Sequence, residues 1–328
     1  MNEISVGILG TGKYVPERRL TNQDLEKMVD TNDEWIVSRT GMRERRIAAP
    51  EQATSDLAYE ASLQALQAAG LTADQIDLII VATITPDMFF PSTACLLQEK
   101  LGAKNAAAFD LSAACSGFIY GLANATGFIK MGMYKHVLVV GAECLSRITD
   151  YTDRNTSILF GDGAGAVVLG QVPEGRGFKS FKLGADGAGG DLLRICGGGS
   201  RLPSSEQSVN EKRHFIEMNG RDVFKFAVRV MGSAAEEALA HAGYTKADID
   251  LLIPHQANIR IIQSALERLN LSEDKAMINL DRYGNMSAAS IPLALAEAVE
   301  EGRVNEGDCL VLVGFGGGLT WGASVLIW

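Results

Sequence analysis

The sequence predicts an α/β protein built from two similar halves, and three observations carry that expectation. Residues 63–80, LQALQAAGLTADQIDLII, return 173 positions later as EEALAHAGYTKADIDLLI, residues 236–253, with nine of eighteen positions identical. Ordinary composition gives roughly one or two identities by chance. Unbroken Val/Ile/Leu runs within 78–81, 137–140 and 310–313 read as strands buried on both faces, so helices are expected to cover both sides of each sheet. Strand-like and helix-like stretches also alternate through both halves, the pattern of an α/β fold.

Each half reads strand, helix, strand, helix, strand. Ile8-Leu9-Gly10-Thr11-Gly12 opens the first half and matches Lys182-Leu183-Gly184-Ala185-Asp186 in the second. Leu138-Val139-Val140 likewise matches Leu310-Val311-Leu312, within a residue of the same offset. The division expected from the repeat is 1–173 and 174–328. Residues 116–132, SGFIYGLANATGFIKMG, show no charge before Lys130. A helix apolar all round must be enclosed, here by both halves. It is too short and too rich in Gly and Asn to cross a membrane.

Composition narrows the function. At 328 residues, 47% hydrophobic, with mean hydropathy near zero, the chain can bury a large core. Forty acidic against thirty basic residues leave a net charge of −10, which repels nucleic acid and anionic membranes; neither is an expected partner. The start MNEISVGILG carries Glu3 and no basic stretch, so no secretory signal is expected. Five cysteines in unrelated contexts make neither a disulfide framework nor a CxxC metal site. A cytoplasmic protein is expected. An acidic ligand would need a local basic patch, with Arg39, Arg43, Arg45 and Arg46, then Arg154 and Arg260, as candidates. Taken singly, each reads first as a solvated charge.

Cys115 stands apart from the other cysteines. It follows the strand-like 106–110 and a small-residue turn and opens the apolar helix, where the dipole and free N–H groups favour a thiolate. Cys95, Cys144, Cys196 and Cys309 read as small structural residues. Of four histidines, only His255 ends an apolar strand and precedes a helix, NIRIIQSALERL. Strand ends beside a seam are where α/β sites form. His136, His214 and His241 read as exposed or structural. Shifting Cys115 by 173 lands on Ala288, so Asn285 occupies the second half's version of the cysteine loop; it reads either as a turn residue or as a site residue facing Cys115. The run GFGGGLTWG from Gly314 follows a buried strand and could form an oxyanion hole. It is not a phosphate loop. Gly161-Asp162-Gly163-Ala164-Gly165 reads as close packing between the halves.

Cys115 in DLSAACSGF, His255 in PHQANIR, Asn285 in YGNMSAASIP and the closing GFGGGLTWG together resemble the β-ketoacyl-acyl-carrier-protein synthase III enzymes of the thiolase superfamily. The similarity runs from GILGTGKYVP through DTNDEWIVSRTG and LFGDGAGA to the end, nearly the whole chain. It implies a thiolase-like fold, two duplicated βαβαβ halves packed as a five-layer αβαβα sandwich. It also implies the initiating condensation of type II fatty acid synthesis. An acyl group passes from acyl-CoA to Cys115, then condenses with malonyl-acyl carrier protein as carbon dioxide leaves, without a cofactor or metal.

The same resemblance assigns roles. His255 and Asn285 donate to the enolate oxygen, and the amides of Cys115 and Gly317 hold the tetrahedral oxyanion. Trp35, Arg39 and Arg154 match positions that hold coenzyme A, with Thr31, Gly220, Phe224 and Asn258 lining it. Phe90 matches a residue that reaches into the partner subunit's acyl pocket, implying a homodimer, and Arg260 matches the carrier-protein docking position. Arg221 stands where some members have Asn. The 192–213 segment looks longer than in compact members and carries no motif. The alternatives are a condensing enzyme of secondary metabolism on the same scaffold, a non-catalytic acyl-thioester-binding paralogue, and a cysteine hydrolase using the same Cys-His-Asn set.

Overall fold

The computed structural model describes residues 4–328, and Glu3 lies outside the described residues. The chain begins β1 (Val6–Tyr14), β2 (Arg18–Thr21), α1 (Asn22–Leu25), α2 (Asp33–Thr40), β3 (Glu44–Ile47), α3 (Thr54–Ala69) and β4 (Leu78–Ala82). It continues α4 (Thr93–Leu101), β5 (Ala107–Leu111), α5 (Gly117–Lys130), β6 (Val137–Cys144) and β7 (Asp162–Gln171). After the seam come β8 (Gly177–Ala185), β9 (Leu193–Arg194), α6 (Glu206–Asn210), β10 (Glu217–Met218), α7 (Gly220–Ala242) and β11 (Leu251–Pro254). The last elements are α8 (Ile259–Leu269), α9 (Leu280–Tyr283), α10 (Ser290–Glu300), β12 (Cys309–Gly316) and β13 (Thr320–Ile327).

Two large sheets form, with orders β1-β7-β6-β4-β5 and β11-β12-β13-β8. Their inner faces share one core with α5 and α10: Ile80 and Val139 of the first sheet and Ile253 and Leu312 of the second join Phe118, Leu122, Ile291 and Leu295. Helices α3 and α4 pack on the outer face of the first sheet, α7 and α8 on that of the second. The result is five layers, helix, sheet, helix, sheet, helix, the thiolase-like sandwich that the sequence predicts. The repeat is visible in fine detail. Gly70 and Gly243 end α3 and α7 with φ of 65° and 76°, a left-handed cap that favours glycine. Asp77 and Asp250 each accept a backbone N–H from the incoming neighbour strand, from His136 at 3.0 Å and Cys309 at 2.9 Å. That shared task accounts for the matching Ile-Asp-Leu in both copies.

Two expectations need correction, on α5 and on the arginine run, and the two halves differ in one strand. The helix α5 is enclosed over its first turns, but Asn124, Gly127 and Lys130 bring one stripe of its later turns to the surface. The second half has no full fifth strand: where β5 has its counterpart, a single parallel bridge joins Leu252 to Ala276. The arginine run is not one surface patch. Arg39 and Arg43 are exposed, but Arg45 is fully buried and donates to Leu20 O, Asn22 Oδ1 and Ile158 O, so burial pulls its guanidinium down to about 10. Arg46 turns inward to Pro16 O at 3.2 Å and lies over the Tyr283 ring. The expected close packing around Gly161 and Gly165 is present: a Cβ there would lie 2.5 Å from Tyr283 O and 2.4 Å from Leu293 N.

Candidate active site

Cys115 sits in a tight turn, Ala114–Ser116, that runs into α5, and Ala114 holds the left-handed backbone needed for it, φ 46°. The Ser116 hydroxyl donates to Ala113 O at 2.8 Å, and Thr320 Oγ1 donates to the same carbonyl at 3.0 Å. This ties the turn to β13 of the other half. Strand β12 passes directly beneath: a Cβ on Gly316 would lie 2.5 Å from the Cys115 nitrogen, so glycine is required. The turn is buried, and burial pushes the Cys115 thiol up to about 12, with the nearby Ser287 hydroxyl opposing. This reverses the thiolate expected at a helix start. A helix dipole contributes about 0.3–2 kcal/mol, or roughly one pKa unit, less than the loss of water costs the anion.

His255 follows β11 and donates its N–H to Val313 O at 2.8 Å. Its ring stands edge-on to Phe315, centroids 5.8 Å apart, and is 1% exposed. Burial pulls it down to about 3, so at neutral pH it is an uncharged imidazole, and its Nδ1 is buried without a hydrogen-bond partner. Asn285 is pinned on both sides: its N–H goes to Leu159 O at 2.8 Å and its carbonyl accepts from Gly161 at 3.0 Å. Its Oδ1 accepts the Ser287 N–H at 2.8 Å, which leaves the amide NH2 as the end free to donate.

The three side chains line one cavity of about 100 Å³, together with Phe224, Phe315 and Asn258. Cys115 also faces a second, apolar cavity of about 380 Å³, walled by Ile84, Leu145, Phe160, Leu193 and Ile195, with Gly317 on its rim. Cys115 therefore stands where a narrow cavity carrying His255, Asn258 and Asn285 among apolar walls meets a wider apolar chamber. That chamber gives the 192–213 segment its place: β9 pairs with β10 and brings Leu193 and Ile195 to the wall. The motif-free alternation of Leu193, Arg194 and Ile195 was the one sequence signal for it.

The remaining candidates divide. Gly220, Phe224 and Asn258 line the narrow cavity. Asn258 also caps α8, accepting the Arg260 N–H at 2.9 Å, and donates to Arg39 O at 2.9 Å. Arg260 is exposed with its guanidinium 5.4 Å over the Phe224 ring, at the cavity's edge. Trp35, Arg39, Arg154 and Thr31 lie off the cavity; Trp35 packs on the same small cluster as Leu159 of the cavity wall, and Arg39 is tied to it through Asn258. Arg154 stacks on Trp35 at 4.4 Å and reaches Asp30 at 3.8 Å. The Thr31 hydroxyl is buried and unpartnered. Phe90 is 85% exposed and lines neither cavity.

Two family models match this chain, 3-oxoacyl-[acyl-carrier-protein] synthase III over residues 109–187 and the C-terminal region of the same synthase over 239–328. The chain is 61% identical over 325 residues to β-ketoacyl-[acyl-carrier-protein] synthase III of Desulfitobacterium hafniense, covering 99% of this chain and 98% of that protein. The chain belongs to the 3-oxoacyl-[acyl-carrier-protein] synthase III family. Among solved structures, the synthase III of Thermus thermophilus matches with TM-score 0.92 and 53% identity over 98% of this chain and 99% of that one. That of Aquifex aeolicus matches with TM-score 0.91 and 48% identity, covering 98% of this chain and 100% of that one. As a member of this synthase family the chain is an acyltransferase of the condensing class. No helix among the described residues is long and apolar enough to cross a membrane.

Proposed function

We propose that this synthase performs the initiating condensation of fatty acid synthesis, taking an acyl group from coenzyme A onto Cys115 and joining it to malonyl-acyl carrier protein. The supporting observation is the convergence of Cys115, His255 and Asn285 on one cavity, with Cys115 opening onto a separate apolar chamber of acyl size. In the first half-reaction the Cys115 sulfur attacks the thioester carbonyl, the oxyanion rests on the Cys115 and Gly317 amides, and CoA leaves with the thiol proton. Because burial holds both thiol and imidazole uncharged, the proton leaves only as the bond to carbon forms. In the second, malonyl loses carbon dioxide and its enolate oxygen takes hydrogen bonds from His255 and the Asn285 amide. A neutral imidazole suits this, since it donates a hydrogen bond without placing a cation in the site.

Trp35, Arg39 and Arg154 hold the nucleotide end of coenzyme A, with Thr31, Gly220, Phe224 and Asn258 along its arm. Arg154 must swing off Trp35 for a base to stack there, because 4.4 Å leaves no room for a ring between them. Arg260 receives the acidic carrier protein. Phe90, with Phe89 beside it 83% exposed, forms an apolar patch that supports a homodimer in which Phe90 enters the partner's chamber. The 1–173 and 174–328 halves act as one cytoplasmic unit. The test supplies acetyl-CoA and malonyl-carrier protein and follows products by mass. The expected result is 3-oxoacyl-carrier protein with one carbon dioxide per turnover; release of free acid in its place would establish hydrolysis and overturn the reading.

A further inference from the structure

A buried carboxylate that the chemistry above does not use lies beside the nucleophile. Glu143, the seventh residue of β6, is 0% exposed, and no cation stands among its partners in the described residues. Its Oε2 accepts from Thr83 Oγ1 at 3.1 Å and Thr85 Oγ1 at 2.5 Å, and its two oxygens share the Ile84 N–H at 3.2–3.3 Å. Three donors converge on Oε2, while Oε1 has only the long backbone contact. Next to it, on the turn Ser287–Ala289, the Ser287 hydroxyl is buried and satisfies hydrogen-bond geometry with no partner. It is nevertheless close enough to both the Cys115 sulfur and the Glu143 carboxyl to pull each down. A hydroxyl that rotates between two such groups can serve either. The Ser287 backbone is held there at φ 45°, a costly conformation for a residue with a side chain.

Proton balance gives these groups a task, which rests on the condensing reading above. Acylation is proton-neutral, because the Cys115 proton departs with CoA. Condensation is not. The electron pair released by decarboxylation forms the new carbon–carbon bond, the bond from sulfur to the acyl carbon breaks, and its pair stays on the Cys115 sulfur. One proton must then reach a sulfur whose burial strongly disfavours the anion.

We propose that Glu143 and Ser287 form a buried proton relay that returns this proton, with Ser287 donating to the Cys115 sulfur and taking its replacement from the Glu143 carboxylic acid. Glu143 is left as a carboxylate and regains its proton through Thr85, which lines a cavity of about 830 Å³ with Asp87, Arg147 and His214. Burial pushes the Glu143 carboxyl up to about 7, while its Thr85, Ile84, Ser287 and Thr83 partners pull it down. None of these is a cation; the titratable neighbours are the Cys115 thiol of the same half and Cys144 on the same strand. The acid is thus protonated below neutrality and ionises around it, the range a proton donor needs.

The test loads Cys115 from acetyl-CoA, confirms the adduct by intact mass, and chases with malonyl-carrier protein from pH 5.5 to 9, ~0.5 units apart. Wild type, Glu143→Gln, Glu143→Asp and Ser287→Ala are compared; Ser287→Ala keeps the backbone N–H that Asn285 accepts. Turnover in the wild type is expected to fall as pH rises through the Glu143 ionisation. Glu143→Gln should lose that limb, turn over at least about tenfold slower, and show a longer-lived thiolate in the ultraviolet. Ser287→Ala should match it, and Glu143→Asp should restore the limb. An unchanged pH profile in both Glu143→Gln and Ser287→Ala, or equal damage to acylation and condensation, would overturn the relay alone. Failure of the wild type to take any adduct on Cys115 would instead overturn the condensing reading and the relay with it.

Discussion

The turn that carries Cys115 and the turn that carries Ala288 are the same structure built twice. Ala114 and Ser287, 173 residues apart, hold φ of 46° and 45°, and each turn feeds an apolar helix at the centre of the sandwich. Beneath each runs a strand with a glycine at the matching place: a Cβ on Gly141 would meet Ala288 O at 2.1 Å, and one on Gly314 would meet Cys115 O at 3.4 Å. The side chains differ. The first half has Cys115 where the second has Ala288, Ala82 where the second has His255, Ser112 where it has Asn285, and Glu143 where it has Gly316. A duplicated backbone supplies the positions, and four substitutions across the seam turn a symmetric scaffold into a one-sided site. The proposed nucleophile and the buried acid come from one half, the proposed enolate donors from the other.

The difference between Glu143 and Gly316 is the sharpest place to break this comparison. Gly316→Ala forces a methyl to 2.5 Å from the Cys115 nitrogen, where backbone cannot give way. A loss of about 3 kcal/mol or more in stability is expected, with acylation abolished. Denaturant melts and intact mass give both readings. Wild-type stability would show that the Cys115 turn is free to shift and that the two seams are not equally tight.

Asn285→Ala removes the amide that is held by Ser287 with its NH2 end left to donate. Decarboxylation is expected to slow by about a hundredfold, the scale of a lost oxyanion donor, while Cys115 still acylates. Single-turnover measurement of each step decides it; equal loss in both would make Asn285 a support for the cysteine turn.

His255 also writes the asymmetry into acid stability. In the unfolded chain it takes a proton below its ordinary 6.5, but in the fold only near 3. The native state therefore loses stability as pH falls from 6.5 towards 3, by about 2 kcal/mol at pH 5. Replacement by Gln should flatten that slope in urea melts; Ala82, its counterpart, can contribute none.

The smallest effect concerns Arg260. Arg260→Glu is expected to raise KM for malonyl-carrier protein a few-fold at low salt, with acylation from acetyl-CoA little changed and the difference fading at high salt. Steady-state kinetics at two ionic strengths measures it. An unchanged KM would leave Arg260 an ordinary solvated charge.

Much of this was legible in the sequence because it lies in contiguous signals. The repeat, the buried strands and the loop positions of Cys115, His255 and Asn285 are local patterns, and the 173-residue offset alone places Asn285 opposite Cys115. What was not legible depends on burial. The start of a helix at Cys115 predicts a stabilised thiolate, but only the fold shows how completely water is excluded. Arg45 reads as one charge in a basic run until Leu20, Asn22 and Ile158 are seen to enclose it. Glu143 ends a run of Val and Leu like any strand terminus, and its proximity to Ser287 crosses the seam. The apolar chamber beside Cys115 joins Ile84, Leu145, Leu193 and Ile216, four places with no motif in common.

The central claim is that chemistry is confined to one of two equivalent turns, and intact mass after exposure to acetyl-CoA tests it most directly. Wild type, Cys115→Ala, and Cys115→Ala combined with Ala288→Cys are compared, the last carrying a thiol at the mirrored turn. The account predicts one acetyl adduct on the wild type and none on either variant, since the mirrored turn has Ser112 and Ala82 where the real site has Asn285 and His255. A stoichiometric adduct on Cys115→Ala, or on the variant with the relocated cysteine, would contradict it.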